Sequence, residues 1–147
     1  ELLKKLLAAK RINVGLLSLR QLLFGSVDLA YHTRPETTDT TAIWKELAAQ
    51  VMLIPMLAGT HPEASFGHLM GGYDAGYYGY MWSNVYAQDM FSVFEREGLL
   101  NEALGRRYRE EILEPGSSRE EGLSLRRFLG REPNEQAFLR HIGLRTP

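Results

Sequence analysis

The sequence predicts an all-α fold, on three observations. Apolar residues recur at helical spacing along most of the chain, no two-residue hairpin turn stands between alternating β-branched runs, and glycine, proline and capping residues punctuate the helical stretches. These breaks divide the chain into about six to seven helices. Leu2, Leu3, Leu6 and Leu7 form the first apolar stripe, and Ile12, Leu16, Leu19, Leu22 and Leu23 continue a longer one toward Tyr31, with a break near Asn13. Arg34 and Pro35 end that arm. The segment Thr37 to Thr41 supplies N-cap candidates for a helix from Ala42 to Leu53, which Pro55 stops; Met56 to Ser65 then reads as loop. Asp74 is placed to cap a long helix reaching Glu97, with Gly98 as its stop. Three shorter helices are expected over Glu102–Leu113, Ser118–Leu129 and Asn134–His141, separated by PGSS and GREPN. Gly105 within the first of them costs about 1 kcal/mol relative to alanine, which weakens the boundary there. There is no internal repeat and no low-complexity tract.

The 147 residues suit a single helical segment, 1–147, and a fold of this size buries roughly 68–70% of the surface its unfolded chain exposes. With 17 basic and 18 acidic residues and no block of like charge, nothing marks nucleic acid or an anionic membrane as a partner. The absence of cysteine removes disulfides and thiolate zinc sites, and fits a reducing, cytoplasmic setting. No apolar run approaches the roughly 18 residues of a membrane span, and no secretory signal is visible. The chain opens at Glu1, already in helical pattern, which suggests a piece of something longer.

The chemistry-bearing stretch is Phe66 to Tyr80, FGHLMGGYDAGYYGY. It holds His68, the glycines Gly67, Gly71, Gly72, Gly76 and Gly79, and four tyrosines. Such a run is poor core and good ligand surface: glycines let a backbone approach a substrate, while phenols and an imidazole supply directed donors. It reads as a substrate-handling loop entering a helix. Tyr73, Tyr77, Tyr80 and Asn84 are spaced 4, 3 and 4 apart, one face of that helix or its entrance; Trp82, Tyr86, Met90 and Phe94 lie elsewhere and suit its buried stripe. A phenol with an ordinary pKa near 10 is a donor at neutral pH, suited to an oxyanion that develops during carbonyl attack. From spacing alone, an aromatic stripe reads first as packing. Likewise, His68 alone reads as a structural histidine, His32 and His141 as structural or solvent-facing, Asn84 as a packing group, and the charges of Glu95 to Arg109 as a solvated face.

The run GHLMGGYDAGYYGYMWSNVYAQDMF resembles the C-terminal catalytic segment of the thimet oligopeptidase and oligopeptidase A family of zinc metallopeptidases. RYREEILEPGSS and LRRFLGREPNEQAFLRHIGL resemble the family's closing helices, and VGLLSLRQLLFGSVDLAYHT the helix before the substrate loop, so nearly the whole chain is covered. The resemblance shifts the tyrosine face and His68 toward a site. It implies an all-α, multi-helix C-terminal portion of a zincin-type oligopeptidase that uses one zinc ion to cleave short peptides. It makes Tyr80 the phenol that stabilises the tetrahedral intermediate, with His68 and Tyr77 beside it. Tyr73 would help hold the peptide backbone, and Gly67, Gly71, Gly72 and Gly76 would let the loop fit varied side chains.

The family's zinc site needs HExxH on a helix and a later glutamate ligand. None of that is present: His32, His61, His68 and His141 include no pair at the required spacing, and His61-Pro62-Glu63 is similar only superficially. The expectation is therefore a substrate-binding segment without metal ligands, inactive alone, whose missing partner is an N-terminal zinc-bearing portion. Exposed cleft surface would favour self-association of the segment. A stand-alone helical peptide-binding module, and one half of a split peptidase, remain the alternatives.

Overall fold

The computed structural model describes residues 1–10, 12–34 and 39–144; the expected cap at Thr37 and the stop at Pro35 lie outside them. Seven α-helices and several single turns of other helical type account for the regular structure, and no strand occurs among the described residues. The chain groups into two compact units, Glu1–Met81 and Trp82–Pro147.

In the first unit, α1 (Leu2–Lys10) carries its leucines exposed, because no element of the unit covers them. The expected break falls at Ile12–Asn13, and α2 (Val14–Thr33) follows, ending at Arg34. The second long helix, α3 (Thr40–Val51), starts on Asp39, whose side chain accepts from the Ala42 amide at 2.8 Å. A carboxylate at this position satisfies an amide that has no partner within the helix. Tyr31 on α2 donates its hydroxyl to the Thr40 carbonyl at 2.8 Å. Burial, and then the carboxylates of Glu63 and Asp39, push that phenol up to about 12.

Leu23 and Val27 of α2 pack with Trp44 and Ala48 of α3, and Phe66 and Tyr77 close this core from the following loop. The loop is not featureless: 3₁₀ turns occupy Pro62–Ser65 and Gly67–Met70. The long helix α4 (Gly79–Glu97) begins five residues after Asp74, so Asp74 caps nothing. Of the amides it could cap, that of Tyr77 bonds to Asp28 and that of Gly76 to the Tyr73 carbonyl.

The second unit contains most of α4, then α5 (Glu102–Tyr108), α6 (Glu121–Leu129) and α7 (Gln136–His141). Asn101 caps α5 through the Leu104 amide, and α5 runs on into a wider π turn over Arg109–Leu113. Glu120 caps α6 at two amides, and Gly130, at φ 70°, ends it in the left-handed conformation that favours glycine. Val93, Leu104, Leu125, Phe128 and Leu129 form the core, with Tyr86, Met90 and Phe94 of α4 packed against them. Trp82 departs from the expected buried stripe: it is exposed, and only edge-on to Tyr86. An ion pair to a buried carboxylate ties the unit together, the exposed Arg131 meeting both oxygens of Asp89 at 2.5 and 2.9 Å while the Asn134 amide donates to one of them.

Phe128 is fully buried and Leu100 is 99 % exposed. Phe128→Ala is therefore expected to cost the second unit about 3–5 kcal/mol through lost burial and the cavity left behind. Leu100→Ala should stay within about 0.5 kcal/mol in the same denaturant titration; equal effects would place the core wrongly.

Candidate functional site

The site is built on α2. Asp28 lies on its face toward the glycine-rich loop, completely buried, and uses both carboxylate oxygens on that loop. Oδ1 accepts from the Ala75 amide and Oδ2 from the Tyr77 amide, each at 2.9 Å. On the same helix, Gly25 allows close approach, since a β-carbon there would stand 3.4 Å from the Tyr78 α-carbon. One turn further along, His32 directs Nδ1 to the Asp28 main-chain oxygen at 2.7 Å and lies 3.2 Å from Oδ1. As a carbonyl can only accept, this nitrogen carries the proton.

Bound in this way, the stretch from Tyr73 to Tyr78 forms successive turns and not the first turns of α4. The Gly76 amide donates to the Tyr73 carbonyl at 3.0 Å, and the Gly79 amide to the Gly76 carbonyl at 3.0 Å. Ala75 takes φ 57° and Gly72 φ 80°. Gly72 is the substitution-sensitive glycine of the loop; Gly67, Gly71 and Gly76 adopt ordinary φ, Gly67 opening a 3₁₀ turn and Gly71 following it.

The structure brings His68, Tyr73, Tyr77 and Tyr80 together, though not as one helix face. Only Tyr80 stands on α4. Tyr73 and Tyr80 stack with rings 5.1 Å apart and 12° from parallel. His68 stands edge-on to Tyr73, Tyr77 and Tyr80 at 5.9, 4.9 and 5.7 Å. Three of these side chains, His68, Tyr73 and Tyr80, are exposed. Tyr77 is buried, against the expectation of a face turned wholly outward: the turn delivers its ring among Phe24 and Phe66 at 5.4 and 5.1 Å. It thus supports the exposed rings from beneath, 5.0 Å from Tyr80. Asn84 is exposed and accepts from Gln88, as a surface helix residue does.

Hydrogen bonding with Tyr73, then desolvation and the neighbouring phenols Tyr73 and Tyr77, hold the Tyr80 hydroxyl above the ordinary tyrosine range. Tyr80 is thereby a proton-bearing donor throughout the neutral range. Beside His68 opens a groove of about 410 Å³, with Leu23, Phe24, Trp44 and Phe66 among its walls and Arg20 at its edge. The Arg20 guanidinium rests 4.4 Å above the Phe24 ring.

A zinc ion does not fit the residues at hand. No group of three or more histidine, cysteine, aspartate or glutamate side chains able to hold a metal occurs among the described residues. His61 and Glu63 do approach to 3.3 Å, with Thr41 bonded to both, but they are two potential ligands and not a cluster. Hydrogen bonds from Thr41, from the Glu63 backbone and from His61 outweigh the effect of burial and hold the Glu63 carboxyl below its usual range.

Sequence reasoning located the four aromatic residues but missed Asp28 and Gly25. The signal was present: an aspartate within the apolar stretch of α2 needs buried donors, and a glycine inside a helix marks a close approach.

Comparison with known proteins places the chain in a family. The model of peptidase family M3 matches residues 1–144. The thimet-like oligopeptidase of Dictyostelium discoideum is 40% identical over 146 residues, which cover 98% of this chain and 22% of that protein. Oligopeptidase A of Escherichia coli (strain K12) is 41% identical over 150 residues, 99% of this chain and 22% of its own length. Saccharolysin of Saccharomyces cerevisiae is 38% identical over 150 residues, with 99% and 21% covered. The chain therefore spans about a fifth of the length of these relatives. Matched over nearly all its residues, the chain belongs to peptidase family M3.

Proposed function

We propose that this chain is the segment of a zinc-dependent oligopeptidase that binds a short peptide and stabilises the tetrahedral intermediate of its hydrolysis. The observation that carries the reading is the stacked, exposed pair Tyr73 and Tyr80 with His68 edge-on to both. Three polar-tipped rings on a buried aromatic base form a wall of hydrogen-bond donors, and membership of a peptidase family favours a peptide as the partner of that wall.

Within this reading Tyr80 donates its hydroxyl proton in a hydrogen bond to the oxyanion that forms when water attacks the scissile carbonyl. Stacking on Tyr73 fixes the phenol before the substrate arrives, so little reorganisation accompanies charge development. His68 assists at the same carbonyl, Tyr73 holds the peptide backbone, and the buried Tyr77 supports these rings from beneath. The loop around Gly67, Gly71, Gly72 and Gly76 follows varied side chains, and the groove beside His68 receives one of them. Metal and general base come from residues outside this chain's described part, so the chain alone is expected to show no chelator-sensitive peptidase activity. The exposed leucines of α1, with Leu53, Ile54, Leu57 and Met70, are the surface that the remainder of a longer peptidase covers.

No described helix is long and apolar enough to cross a membrane. A cytoplasmic setting agrees with the cysteine-free composition.

In a zinc-bearing M3 peptidase that carries this segment, Tyr80→Phe should lower kcat by about 10²–10³; near-normal turnover would end the assignment. Tyr73→Phe should bring the Tyr80 titration down toward the ordinary tyrosine value of 10.0, read from the ring-carbon NMR signal of Tyr80. The sign follows from Tyr73 favouring the protonated phenol, and an unmoved titration would remove Tyr73 as the cause. Sedimentation equilibrium of the chain alone should show association that rises with concentration; an ideal monomer at every concentration would contradict the proposed covered surface.

A further inference from the structure

We propose that Asp28 is the positioning residue of the donor wall, setting Tyr77 and Tyr80 through the backbone and touching no substrate itself. Its catalytic meaning rests on the function proposed above, while its structural content stands independently.

Asp28 is a buried carboxylate that no ion pair with lysine or arginine neutralises among the described residues; its neighbours are two loop amides and His32. A buried charge persists only where hydrogen bonds replace its hydration. Here the donors are the amides of Ala75 and Tyr77, two residues apart, and their convergence on one carboxylate requires the chain between them to turn sharply. Ala75 shows the consequence in its φ of 57°, a conformation that an L-residue adopts against a steric penalty. The constraint then propagates. Fixing the Tyr77 amide sends its ring into the Phe24–Phe66 cluster, and the Tyr77 carbonyl in turn receives the Tyr80 amide at 3.2 Å as α4 begins. One side chain on α2 thereby decides where the loop ends, where the helix starts and where the Tyr80 ring stands.

His32 completes the arrangement. Its Nδ1 proton engages the Asp28 main-chain oxygen and lies within 3.2 Å of Oδ1, holding the carboxylate toward the loop.

Asp28→Asn keeps the size of the side chain but leaves one acceptor oxygen and sets an NH₂ against a backbone N–H. The primary test is amide hydrogen exchange in the 147-residue chain. Exchange at Ala75 and Tyr77 should rise by about tenfold or more, the loss expected when a buried hydrogen bond to a charged group is removed, while Val27 and Trp44 stay within about twofold. Ala75→Gly removes the steric penalty at the turn, so the double variant should recover part of the protection. That recovery separates a held turn from general loosening of α2. Should Asp28→Asn unfold the chain, the Ala75→Gly background carries the same comparison. Unchanged exchange at Ala75 and Tyr77 would overturn the proposal.

The second readout is peptide hydrolysis by a zinc-bearing M3 peptidase carrying the segment. Asp28→Asn should lower kcat by about tenfold or more and raise KM by a smaller factor, since the Asp28 bonds set the Tyr77 and Tyr80 backbone directly and Tyr73 only through the loop. Loss of loop protection with normal kcat, where Tyr80→Phe does lower kcat, would overturn the positioning role and leave the proposed function standing. Normal kcat in both variants would overturn the proposed function and the positioning role with it.

Discussion

A single buried carboxylate, Asp28, organises the glycine- and tyrosine-rich segment of the candidate site. The segment from Phe66 to Tyr80 is rich in glycine and has no regular structure of sufficient length to hold itself. What holds it is Asp28, which accepts two of its amides from within the helix α2. Around that anchor Phe24, Phe66 and Tyr77 pack edge-on and tilted, filling the space under the exposed rings. The hydrophobic contribution is large and non-directional, whereas the two charge-assisted hydrogen bonds are directional. Burial keeps the loop down; the carboxylate decides its conformation.

The second unit uses the same device for a different purpose. Asp89 of α4 is buried as deeply as Asp28, and it is satisfied by the Arg131 guanidinium and the Asn134 amide. Removing one partner of such a pair strands a charge, so the arrangement fixes the approach of the segment after α6 more than it adds net stability. In both units a helix interior supplies an aspartate that a following irregular stretch must meet. The irregular stretch in the first unit is the candidate site; in the second it is the lead into α7.

Much of this was legible in the sequence. The helices, the break near Asn13, the stop at Gly98 and the π-extended helix reaching Leu113 all follow from local patterning. The grouping of His68 with Tyr73, Tyr77 and Tyr80 comes from the resemblance of the run to a family, since spacing alone reads such a stripe as packing, and Phe66 and Tyr77 are indeed core. The start of α4 was not legible. Asp74 has the chemistry of an N-cap, but of the two amides that it could receive, that of Tyr77 is taken by Asp28, 49 residues away in sequence, and that of Gly76 by the Tyr73 carbonyl. Local rules weigh only local acceptors. For the same reason the buried position of Tyr77 could not be read from a 4, 3, 4 spacing, which presumes a helix that the long-range bonds prevent. Trp82 failed differently: its place in a stripe says nothing of whether a neighbour exists to cover it.

The central claim is that the exposed rings form a preorganised oxyanion-binding wall. A crystal structure of a zinc-bearing M3 peptidase that carries this segment, bound to a phosphinic peptide whose tetrahedral phosphinyl group stands in for the hydrated carbonyl, tests it most directly. The account predicts a phosphinyl oxygen about 2.5–3.0 Å from the Tyr80 hydroxyl, with Tyr73 still stacked on Tyr80 and the Asp28 bonds to Ala75 and Tyr77 intact. A phosphinyl group that neither His68 nor Tyr80 touches would contradict it.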